Sequence, residues 1–138
     1  MPKTFTAPFA QSPKTATAVV TAAVGNLGTD APTGTVLLMT AGTEGAIMTR
    51  LWAIPRATVT PSSLLLFISS DAGVTQRLKD SESMASQTVS TTAAIAETTF
   101  PNYSESRPLR LGAGDRLYVG TQVAQATGIL FSAEYTDF

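Results

Sequence analysis

The chain contains no cysteine and no histidine. Their absence excludes disulfide staples, zinc and iron–sulfur centres built on thiolates, cysteine nucleophiles, histidine general bases and every Ser-His-Asp triad. Charge is scarce as well: nine Lys plus Arg against ten Asp plus Glu, 14% of residues, net charge -1. No basic footprint for nucleic acid and no polybasic membrane patch arises from such a balance. The longest strongly apolar run, residues 64–68, is five residues, far below the roughly 18 that a membrane helix needs. Residues 1–15, MPKTFTAPFAQSPKT, place proline and polar residues where a secretion signal has its apolar core. A soluble protein without nucleic-acid or membrane partners is expected.

What the chain does have is Thr, Ala and Ser, with 22, 20 and 12 copies among 138 residues, alongside ten Gly and eight Pro. Thr suits a pleated, half-exposed surface, whereas Gly and Pro punctuate turns. At this length a single domain can bury a core without staples.

Residues 1–15 stand apart. Pro2, Pro8 and Pro13 oppose a helix or a central strand, so an extended arm is expected. Its isolated aromatics, Phe5 and Phe9, suit an arm that docks on a neighbour; the alternative is a terminus folded back on its own domain. From residue 16 onward, short apolar or alternating segments are separated by turn signals, the pattern of a sandwich or barrel. Strands are expected over 16–24, 34–40, 45–54, 62–70, 74–79, 88–97, 109–111, 116–121 and 129–136; residues 80–86 can hold one helical turn around Met84, and the alanines of 88–97 keep a helix there as the alternative. Asp71-Ala72-Gly73 reads as a hairpin loop with Gly73 at its left-handed position. Long loops at 25–34 and 98–108 alternate with tight hairpins, which favours an antiparallel β-sandwich of jelly-roll type with about eight strands. An immunoglobulin-like sandwich is the runner-up.

VLLM (36–39), LLLFI (64–68) and LYV (117–119) are apolar on both faces, and a small sandwich needs only its inner faces apolar. A second cover is therefore required, from a loop or arm of the same chain or from a neighbouring subunit.

The remaining chemistry is sparse. Asp30, Asp71 and Asp115 lie in turns without the repeated acids of a hard-cation site, so no metal and no cofactor is expected. Gly112-Ala113-Gly114-Asp115 precedes a strand and lacks a Walker lysine, so it reads as a hairpin and not as a phosphate loop. Glu97, Asp115 and Glu134 are the acids whose convergence a glycosidase would need, and nothing in their spacing requires it. No catalytic residue is assigned and no enzyme is expected. Six Arg against three Lys suit interfaces or local pairing. Trp52, between Leu51 and Ile54, is expected in the core, with a ligand platform as the alternative.

At AIPRATVT (53–60), LLLFISSDAG (64–73) and LRLGAGDRLYVGT (109–121) the chain resembles small jelly-roll decoration or cement proteins of tailed bacteriophages. The resemblance spans most of residues 35–136 and rests on structural hairpins. It implies a structural virion protein made in the host cytoplasm, bound to the outside of the capsid and commonly trimeric. The major capsid protein and further copies of the chain would then be its partners. The capsid-contact arm would carry Pro2, Lys3, Phe5, Pro8 and Phe9. The alternative is a receptor- or carbohydrate-binding head of a phage fibre.

Overall fold

In a computed structural model, which describes residues 12–138, the turn-punctuated pattern becomes nine strands and no helix. They are β1 (Ser12–Val20), β2 (Val36–Thr40), β3 (Ala46–Pro55), β4 (Ser62–Ser69), β5 (Arg77–Met84), β6 (Thr98–Thr99), β7 (Leu109–Leu111), β8 (Arg116–Thr121) and β9 (Ile129–Asp137). Two antiparallel sheets result. One runs β1-β9-β3-β6, with β7 also paired to β3; the other runs β2-β8-β4-β5. The pairs nest from the ends of the chain inward: β1 with β9, β2 with β8, β3 with β7, β4 with β5. Apart from β4–β5 and β6–β7, every connection crosses from one sheet to the other.

One core lies between the sheets. The five-stranded sheet contributes Val20, Met48, Leu51, Ile129 and Phe131 with the small Ala46, Ala53 and Ala133; the four-stranded sheet answers with Leu38, Met39, Leu64, Leu66, Met84, Leu117 and Val119. Small residues opposite large ones let the layers interdigitate at interior density. Phe100, wholly buried, enters this core from the loop after β6 and is fixed by its amide donating to the Leu51 carbonyl (2.9 Å).

Several expectations shift. β1 begins at Ser12, not residue 16, so residues 12–15 of the expected arm belong to the sheet. Pro13 is accommodated because β1 is an edge strand, where a missing amide donor breaks no second ladder. The same strand stops at Val20, not Val24, because the chain there changes sheets: Ala23 bridges to Thr121 of β8. Residues 80–86 hold no helical turn; β5 continues to Met84, which pairs with Ser62 and closes the core. Pairing with β4 overrides the weak strand propensity of this polar segment. Residues 88–97 are not a strand. They offer only Val89 and Ile95 as sizeable apolar side chains, neither fully buried. The Gln87 amide instead ties the loop, donating to the Ala96 carbonyl (2.8 Å) and accepting from the Ala96 amide (3.0 Å).

The second cover comes from the chain itself. Leu65 and Phe67, on the outer face of the four-stranded sheet, form a small buried cluster with Val24 and the half-buried Tyr118. Gly120 makes this contact, since a Cβ there would collide with the Val24 side chain. Residues 21–35 form a flap closed by the Gly25–Thr33 bridge. Its Asp30 carbonyl accepts from the Gln76 amide (2.8 Å), and Thr35 donates to the Gln76 side chain (2.8 Å).

Candidate functional site

Trp52 is not in the core. β3 carries a bulge between Met48 and Arg50, which inserts one residue and resets the alternation. Met48, Leu51 and Ala53 therefore point inward, and Arg50, Trp52 and Ile54 outward. On this outer face two cross-strand rows meet. Trp52 lies beside Ser132 and Thr17 on one side and Thr99 on the other; Ile54 lies beside Leu130 and Val19. Trp52, Ile54, Leu130 and Val19 are all half-buried.

Arg50 organises the patch. Its guanidinium stands 4.0 Å from the centre of the Trp52 ring and donates to Glu97 at 2.9 Å. Stacking on an indole plus a charge-assisted hydrogen bond holds the side chain in one place. Glu134 is the cross-strand partner of Arg50 on β9. Of the three acids considered for convergence, Glu97 and Glu134 thus flank one arginine. Asp115 is elsewhere, accepting from the Gly112 amide (2.8 Å) in the turn from β7 to β8, which crosses between the sheets and is not the hairpin expected from the sequence.

The other turn acids are also structural. The Asp71 carboxylate accepts from the Thr75 amide and the Ser69 hydroxyl, both at 2.8 Å. These hydrogen bonds, that of Thr75 first, hold its pKa below the usual carboxylate value. Asp30 pairs with Arg77 at 3.2 Å. Among the described residues, no three metal-ligating side chains cluster. The proposed arm residues Pro2, Lys3, Phe5, Pro8 and Phe9 lie outside the described residues.

The strand that follows the arm is clamped. Lys14 donates to Asp137 at 2.7 Å, and the second Asp137 oxygen accepts from the Gly42 amide (3.0 Å). Asp137 raises the Lys14 pKa through that hydrogen bond and its charge. This pair joins opposite ends of the chain and left no signal in the sequence.

A second feature was equally invisible there. Where β5 faces the loop after β6, Lys79, Asp80, Asn102, Tyr103 and Arg107 line a cleft of about 330 Å³. Asp80 accepts from the Ser81 amide (2.8 Å) and from the Asn102 side chain (3.2 Å). Burial, and secondarily Asp80, pushes the Tyr103 phenol well above its ordinary pKa.

Comparison of the chain with protein-family models, curated proteins and solved structures finds no match.

Proposed function

We propose that this is a structural virion protein that decorates a phage capsid, binding the shell from outside and reinforcing it. One observation carries the reading: a strand-paired outer face that presents a half-exposed tryptophan under a doubly held arginine. Trp and Arg dominate protein interfaces, and a side chain already immobilised gives up little entropy on docking. The resemblance to cement proteins at 53–60, 64–73 and 109–121 supports the same reading. Nested pairing, with strand orders β1-β9-β3-β6 and β2-β8-β4-β5, supports reading the two sheets as a jelly roll, a long hairpin rolled onto itself. In this reading the segment that precedes Ser12, with Phe5 and Phe9, is a second anchor on the major capsid protein. Leu37 on β2, Leu78 on β5 and Val74 in their neighbouring hairpin are exposed beyond the flap, and are the apolar surface offered to a homotrimer.

The test is location and copy number in purified particles. Many copies on the head support decoration; a few copies at the tail overturn it and favour the fibre-head reading. Trp52→Ala should reduce retention on shells while leaving the protein folded.

A further inference from the structure

The cleft beside β5 is not used by the capsid-binding reading, and its chemistry is selective. Two of its lining groups are cations, Lys79 and Arg107, that make no ion pair with another described residue. The described residues contain three ion pairs, made by Lys14, Arg50 and Arg77; neither Lys79 nor Arg107 takes part. Lys79 is the extra residue of the β5 bulge, left without a cross-strand partner between Leu78 opposite Phe67 and Asp80 opposite Leu66. Bulges re-aim side chains in this way. Arg107 is positioned by a tight turn in which its own amide donates to the Ser104 carbonyl (3.1 Å).

On the same wall stands an oriented acceptor. Asp80 is held by the Ser81 amide and the Asn102 side chain. The Tyr103 ring packs against the main core and forms a fixed floor. A ligand that satisfies this wall must bring one negative charge for the two cations and donors for the carboxylate. Phosphate meets the first demand and sets its charge against Asp80; a neutral sugar meets the second and leaves both cations unanswered. An acidic peptide brings a carboxylate and backbone N–H donors, but spread along an extended chain. A carboxylate and adjacent hydroxyls on one small ring meet both demands. The cleft lies at the small end of ligand sites, which suits one ring and not an extended chain.

We propose that this cleft binds a uronic-acid unit of an acidic saccharide, with Lys79 and Arg107 taking the carboxylate and Asp80 with Asn102 taking the hydroxyls. The cleft shares no lining residue with the Trp52 patch, so the two readings fail separately.

Titration of the full chain with D-glucuronate, followed by amide and side-chain nuclear magnetic resonance, tests it. Saturable shifts at Asn102, Tyr103 and Arg107 are expected, with D-glucose and acetate each binding about tenfold more weakly or less, the loss of one charge-assisted contact. Arg107→Ala and Asp80→Asn should each weaken glucuronate about tenfold, with melting unchanged and shell retention at the wild-type level. Trp52→Ala should leave glucuronate binding intact. Acetate binding as well as glucuronate would overturn the proposal in favour of a bare carboxylate site. No saturable shift, or shifts mapping to another surface, would overturn it outright.

Discussion

Single residues set the geometry of the β4–β5 turn. In the β4–β5 hairpin, Ala72 (φ 61°) and Gly73 (φ 90°) both adopt left-handed backbone, and a Cβ on Gly73 would strike the Tyr118 hydroxyl. Gly73→Ala should therefore destabilise the fold by ~1–2 kcal/mol, read by denaturant unfolding. The neighbouring Asp71 has a testable pH signature. Its folded pKa lies below the ordinary 3.8, so its contribution is complete above that value and is lost as pH falls through the folded pKa. Asp71→Asn keeps an acceptor for the Thr75 amide and removes only the charge. The variant should melt below wild type at neutral pH, and the gap should close in strong acid. Gly73 at a left-handed position was legible in DAG; Asp71's two donors, Ser69 and Thr75, are local and were legible in principle as turn chemistry.

At the scale of elements, the edge strands are blunted. β1 carries Pro13, and β2 and β5 each carry a bulge, devices that discourage edge-to-edge pairing and leave faces and clefts as the surfaces for partners. β1 also separates arm from sheet. Deleting residues 2–11 should leave melting nearly unchanged and weaken shell retention. Extending the deletion to residue 15 removes the Lys14–Asp137 clamp and four ladder positions, and should lower the melting temperature. Equal melting of both truncations would show that the start of β1 contributes nothing. The flap makes a different prediction. Val24→Ala strips two methyl groups from the cover over Leu65 and Phe67, about 1.5 kcal/mol at roughly 0.8 kcal/mol each, and should increase binding of a hydrophobic dye. Two-sided apolarity in LLLFI announced that a cover was needed, but the contact of Val24 with a strand 40 residues away is outside what local pattern conveys.

For the whole molecule, the nested pairing makes the last strand indispensable. β9 lies between β1 and β3 and buries Ile129, Phe131 and Ala133 in the core. A chain lacking residues 129–138 should not fold, which the loss of a cooperative melting transition would report. First-with-last pairing also means slow loop closure, so refolding on the order of milliseconds to seconds is expected by stopped flow. The sequence by itself determined the class of structure and most strand positions. Turn residues and a two-residue period are local properties, and they located β2, β3, β4, β7, β8 and β9 to within a few residues. Only the tertiary structure decided which face of β3 looks outward, because both faces are apolar and the bulge before Arg50 resets their parity. It alone decided which distant groups meet: Arg50 with Glu97, Lys14 with Asp137, and Lys79 and Asp80 with Asn102 and Arg107 across one cleft. Such meetings depend on the three-dimensional route of the chain between them, for which the local spacing of residues carries no signal.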